Sequence, residues 1–145
     1  MEKRTKFHVS VQAIIYNNKN EILLLRRQNT GYEDGKLSLP GGHLEKNERV
    51  VDALIRELEE EIGITFKESE LELFKVLNRE VNDRNYLDFI FKTNINERIP
   101  SNLEKEFCSE LVWKNTNDLE NTINYIKELF SSNEVYLTIE REIYD

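Results

Sequence analysis

Cysteine occurs once in this chain, at Cys108. A single thiol closes no internal disulfide and builds no zinc motif, so the expected role of Cys108 is that of a small buried hydrophobe. Two prolines and five glycines among 145 residues leave no collagenous, Pro-rich or Gly/Ser-linker segment. With no linker and no internal repeat, the length suits one domain, residues 1–145. No apolar run approaches a membrane span, and the opening MEKRTKFHVS has no apolar stretch long enough for a signal peptide. The expectation is a cytoplasmic chain that enters no membrane. Basic residues are in short supply, 20 against 28 acidic, for a net charge of -8. That balance argues against general nucleic-acid or membrane-surface binding. It still admits a small phosphate-bearing partner, because bound cations bridge two negative groups.

What is present reads as alternating strands and amphipathic helices. FHVSVQAIIY (7–16) and EILLLRR (21–27) are rich in β-branched and aliphatic residues and flank the turn NNKN, which predicts a hairpin. QNTGYEDGK (28–36) is a loop, and LSLP (37–40) a short strand closed by Pro40 and the Gly41-Gly42 pair. A helix is expected from Asn47 or Glu48 to Gly63. On a wheel of about 100° per residue, its Val51, Leu54, Ile55, Leu58 and Ile62 form one apolar stripe. Two strands follow (71–81 and 85–95), then a loop, a strand at 110–115 and a helix at 118–130. Residues 134–144 read as a last strand or as a tail packed on a partner, which leaves a homodimer open. The fold class is α/β: a mixed sheet with helices on its faces.

The stretch RELEEEIGI (56–64) concentrates negative charge. Taking Glu57 as zero on the wheel, Glu61 falls about 40° to one side, Glu60 about 60° to the other, and Glu59 about 160° away. Glu57, Glu60 and Glu61 are therefore expected to converge, with Ala53 leaving room one turn earlier. Clustered carboxylates destabilise a bare helix. Hard cations such as Mg²⁺ or Mn²⁺ reverse that cost by taking several oxygen ligands. A solvated acidic face is the competing reading.

The surrounding residues decide between them. From Gly42, five residues lead to Glu48 and seven more to Arg56-Glu57, followed by Leu58, one residue, Glu60-Glu61, one residue, Gly63 and Ile64. This resembles the box of the Nudix (MutT-like) hydrolase superfamily, G-x5-E-x7-R-E-U-x-E-E-x-G-U with U aliphatic, at every specified position. Asn47 stands where the family often has Gly, and Asn also tolerates left-handed backbone. The resemblance implies an α/β/α sandwich carrying a loop-helix-loop box. It also implies a pyrophosphohydrolase that cleaves a diphosphate linkage in a nucleoside diphosphate joined to another moiety, or in a nucleoside triphosphate.

By matching positions, Glu57, Glu60 and Glu61 would hold Mg²⁺ (or Mn²⁺), with a carbonyl of Gly41 or Gly42 as a further ligand. Arg56 would orient the glutamates, and Glu48 would serve a salt bridge or the helix dipole. The general base would be a glutamate, Glu60 before Glu57. An extra acidic ligand would come from Glu104, Glu106 or Glu110, ahead of LVW.

Outside the box, Arg26 and Arg27 point to opposite faces, so at most one of them would meet phosphate. Tyr32 would stack on a base, Asp34 would bond a sugar or base edge, and His43 would touch substrate. His8 and Trp113 read as a strand residue and a core aromatic. Subfamily signatures, a proline near Arg79 and a tyrosine near Val81, are absent, and the short length leans toward a compact triphosphate type. The partner is then a small-molecule nucleotide. A non-catalytic nucleotide-sensing module is the alternative, and such modules usually carry a broken box. An acidic protein–protein adaptor is weaker still, because the glutamates share one aim.

Overall fold

The computed structural model describes residues 3–144. β1 (Phe7–Tyr16) and β2 (Glu21–Arg27) form the expected hairpin. β3 is only Leu37–Ser38, and β4 is Gly41–His43. α1 runs Val50–Ile62, followed by a 3-10 turn at Glu68–Glu70. β5 (Glu72–Val81) and β6 (Arg84–Asn94) are joined at Asn82-Asp83. Both turn residues have positive φ (48 and 64), the conformation of a two-residue hairpin turn. β7 (Cys108–Asn115), α2 (Tyr125–Ser131) and β8 (Tyr136–Thr138) complete the chain. Among the described residues no helix is long and apolar enough to cross a membrane.

β1 lies at the centre. It pairs in parallel with β6 along its whole length, from Phe7↔Asn85 to Tyr16↔Asn94. Its other edge is shared between two strands. β2 pairs with it at Tyr16↔Ile22, then bends away to pair with β7 and β3. β4 takes the rest of that edge, from Ser10↔His43 to Gln12↔Gly41. β5 continues the sheet beyond β6, and β8 lies parallel on its far edge.

Period-2 alternation loads both faces of this sheet. Val11, Ala13, Ile15, Leu23 and Leu25 pack with Leu54, Leu58 and Ile62 of α1. Ile14, Ile22, Leu24, Leu77 and Ile90 pack with Tyr125, Ile126 and Leu129 of α2. The result is the expected α/β/α sandwich. Trp113 packs against the α1 side, and Cys108 is buried and free.

Three expected boundaries move, each for a local reason. α1 begins at Val50, after Glu48. Asn47 is left-handed (φ 67), and the Glu48 carboxylate accepts the Glu45 N–H at 2.8 Å, so residues 45–48 close a turn of their own. α2 begins seven residues later than the apolar pattern suggests. Leu37 N–H donates to Asn121 O and Ile123 N–H to Leu37 O, which draws 121–123 alongside β3. Residues 134–144 pack on this chain itself: β8 lies on β5, and Glu142 bridges to Val81.

Candidate active site

α1 is the anchor. Its buried face carries Leu54, Leu58 and Ile62, and beside them the buried carboxylate of Glu61. Gly63 (φ 73) ends the helix, its N–H bonded to Glu59 O. Across from α1 runs β4. A Cβ on Gly42 would stand 2.3 Å from the Glu57 carboxyl carbon, and one on Gly41 2.0 Å from Val11 O. Only glycine lets this strand pass between β1 and the glutamates. The Gly41 N–H donates to Glu61 Oε1 at 3.0 Å.

Arg56 organises the rest of the box. Its Nε and Nη2 form a bidentate pair with Glu48 at 2.7 and 2.9 Å. Nη2 also reaches His43 O, while Nη1 donates to Glu57 at 2.9 Å and Glu60 at 3.3 Å. Those carboxylates, Glu48 foremost, push the guanidinium pKa up. In return, the Arg56 hydrogen bond holds the Glu48 carboxyl below the usual range. Asp52 pairs with Arg49.

Glu57 and Glu61 behave differently. Burial raises the Glu57 pKa, against the pull of Arg56. Burial raises Glu61 well above the usual carboxylate range, and the charge of Glu57 adds to it. Both line a pocket of about 180 Å³ together with Glu104, Gly41, Arg27 and Asn102. Glu60 lies outside that lining, exposed, with its carboxylate turned to Arg56. Among the described residues no three His, Cys, Asp or Glu side chains already form a metal-holding group. The donor set nevertheless fits a hard divalent ion: the lining holds the carboxylates of Glu57, Glu61 and Glu104, and the missing Cβ of Gly42 leaves the Glu57 carboxylate approachable.

Of the three loop acids, Glu104 is the one brought to this pocket. Glu110 pairs with Arg26 at 2.7 Å, and Glu106 is exposed outside the lining. Arg26 also donates to Gly35 O. The inward member of the arginine pair is Arg27, held by Tyr32 O at 2.8 Å and Thr30 Oγ1 at 3.0 Å. Asp34 turns back on its own loop, accepting from Thr30 and Gly31. The Thr30 hydroxyl holds its carboxyl below the usual range.

A second cavity, about 620 Å³, shares Arg27, Ser38, Leu39 and Gly41 with the first. Both therefore meet between the end of β2 and the start of β4. Tyr32 and His43 line it, with Arg79, Arg84, Tyr86 and Tyr125. Arg79 pairs with the fully buried Asp88 at 2.5 and 3.1 Å. Ser10 Oγ donates to Asp88, Gln12 to Ser10 Oγ, and the Tyr125 hydroxyl to Gln12. Burial pushes the Tyr125 pKa up to about 12. The Arg79 guanidinium lies 4.5 Å from the Tyr125 ring centre and 5.1 Å from that of Tyr86. Sequence reasoning missed this network. The signal it had was Asp88, a charge on the same strand face as Ile90 and hence on a buried face.

With this geometry in view, comparison with known proteins is direct. The NUDIX domain model matches residues 6–132. The 8-oxo-dGTP diphosphatase of Escherichia coli (strain K12) is 40% identical over 79 residues, 54% of this chain and 59% of that protein. The ADP-ribose pyrophosphatase of Methanocaldococcus jannaschii is 43% identical over 56 residues, 39% of this chain and 32% of that protein. The chain thus spans only 59% and 32% of the length of these curated relatives. A MutT protein from Methanosarcina mazei Go1 superposes with a TM-score of 0.75 at 26% identity, covering 90% of this chain and 94% of that one. The match over most of the chain, the complete box and the shared sandwich together make this chain a member of the Nudix family.

Proposed function

We propose that this chain is a divalent-cation-dependent pyrophosphohydrolase acting on a nucleoside di- or triphosphate derivative. The observation that carries the reading is the junction of the two cavities. An acidic pocket suited to a cation opens beside a larger cavity lined by arginines and tyrosines, suited to a nucleotide. The relatives' activities, on 8-oxo-dGTP and ADP-ribose, support the substrate class. The diphosphatase relative favours a triphosphate.

Glu57, Glu61 and Glu104 would hold Mg²⁺ or Mn²⁺, with a carbonyl of Gly41 or Gly42 completing the set. When bound, the ion supplies charge neutralisation at the diphosphate and acidifies a water. Arg56 fixes the rotamers of Glu57 and Glu60. Glu60, exposed and free of the pocket floor, takes the proton of the attacking water at a carboxylate oxygen and releases it to solvent. Arg27, at the junction of the cavities, meets the phosphates. Tyr32 and Tyr86 flank the base, with His43 beside Tyr86.

The experiment is phosphate and pyrophosphate release from a panel of nucleotides and conjugates with Mg²⁺ or Mn²⁺, repeated in chelator. Turnover that vanishes in EDTA is expected. Full turnover in excess EDTA removes the cation role. Tight nucleotide binding without turnover makes the chain a sensing module.

A further inference from the structure

Among the described residues, Asn102 Oδ1 is the one buried side-chain nitrogen or oxygen with no hydrogen-bond partner. An unsatisfied buried polar atom costs about 1–3 kcal/mol. Strain, a bridging water, a catalytic role or a bound ion accounts for such an atom in native proteins. The orientation of this amide is set by its other end: Nδ2 donates to Cys108 O at 2.8 Å. Turning the amide over would face oxygen to oxygen.

The backbone around Asn102 is fixed as well. Ser101 N–H donates to Ile62 O at 2.9 Å, and Leu103 N–H to Glu61 O at 3.0 Å. The residues on either side of Asn102 thus hang from the last turn of α1. Next in the chain, Glu104 O accepts from both Phe107 and Cys108 N–H at 2.9 Å. These bonds hold Asn102 in the lining of the acidic pocket with Glu57, Glu61 and Glu104.

Resting on the cation-dependent reading above, we propose that Asn102 Oδ1 belongs to the oxygen shell of the ion in this pocket. A carboxamide oxygen is a hard donor, as divalent alkaline-earth ions prefer. It is also neutral. A further carboxylate would add negative charge to a pocket that must next admit an anionic diphosphate, and the amide donates without that penalty.

Two variants separate the oxygen from the amide nitrogen. Asn102→Ala removes both, whereas Asn102→Asp keeps the oxygen and exchanges the nitrogen for a second, charged oxygen that cannot donate to Cys108 O. Mn²⁺ binding is read without nucleotide, from the electron paramagnetic resonance signal of free Mn²⁺, with melts of the ion-free proteins to confirm folding. Asn102→Ala is expected to weaken Mn²⁺ binding about 10-fold, and Asn102→Asp to match or exceed the wild type. Unchanged binding in Asn102→Ala overturns the inference. So does equal weakening in both variants, which would assign the effect to the tie to Cys108. Failure of the wild type to bind Mn²⁺ defeats the cation reading and this inference together; wild-type binding that Asn102→Ala retains defeats this inference alone.

Discussion

The two cavities that meet at Gly41 are opposites in charge and in how complete their electrostatics are. In the larger one, Arg79 is paired with Asp88, Asp88 with Ser10, and Ser10 is linked through Gln12 to Tyr125. These groups satisfy one another before any ligand arrives. In the smaller one, Glu57 and Glu61 have raised pKa values, and Asn102 Oδ1 lacks a partner. The first is a preformed surface that receives a ligand by shape, stacking and spare donors. The second gains its balance from what binds. Mutations should therefore act differently on the two sides: fold stability should suffer in the large cavity, and turnover in the small one.

The largest expected effect is on the large side. Asp88→Ala strands the Arg79 charge, which is 8% exposed, and should cost about 3–5 kcal/mol of folding stability. Urea unfolding measures it. A loss below about 1 kcal/mol would mean that water reaches Arg79 and the network is not closed.

On the small side, Glu57→Gln or Glu61→Gln should lower kcat at least about 100-fold, or 2.7 kcal/mol. Glu59→Gln, exposed on the same helix, should cost less than about threefold. Steady-state kinetics compare the three. Equal damage from Glu59→Gln would erase the distinction between the pocket-facing and outward acids of α1.

Tyr86→Ala probes binding without chemistry. Loss of one stacking ring should raise KM about 10-fold, near 1.4 kcal/mol, and leave kcat within about twofold. A fall in kcat at unchanged KM would place Tyr86 with the acidic pocket instead.

The smallest effect has a pH signature. Burial lets folded Glu61 keep its proton above the 4.5 at which an ordinary glutamate loses it. Across that window the folded state binds more protons than the unfolded one, so wild-type stability falls as pH rises. Glu61→Gln escapes this loss. Without metal it should be more stable than wild type by up to about 1 kcal/mol at pH 7. The gap should close below about pH 4, where both chains are neutral at this position. Adding Mg²⁺ should stabilise the wild type more than the variant. Thermal melts across pH, with and without Mg²⁺, test both statements. Equal Mg²⁺ shifts in the two proteins would separate Glu61 from the ion.

The contrast also explains what sequence reading could see. The box acids share one helix, where i, i+3 and i+4 spacing converts directly into neighbourhood. Even there, the wheel gives directions of Cβ and not of carboxylates, and the Glu60 carboxylate turns to its i,i+4 neighbour Arg56. The large cavity is assembled from β1, β5, β6 and α2, and no local period links Gln12, Arg79, Asp88 and Tyr125. The strand at Gly41–His43 was equally hidden. Glycine has little strand preference, and this strand forms because β2 leaves the edge of β1 open.

The parallel pairing of β1 with β6 also shapes how the chain comes into being. Ser10 faces Asp88, 78 residues further along. On the ribosome, the β1 edge that pairs with β6 and the β1 face that packs on α2 must wait until those elements have emerged, well after the box helix has been made. Such long-range closure slows folding and leaves a hydrophobic strand exposed for longer. Refolding at high protein concentration should therefore lose more material to aggregation than refolding at low concentration, with β1 as the segment that needs a chaperone's cover.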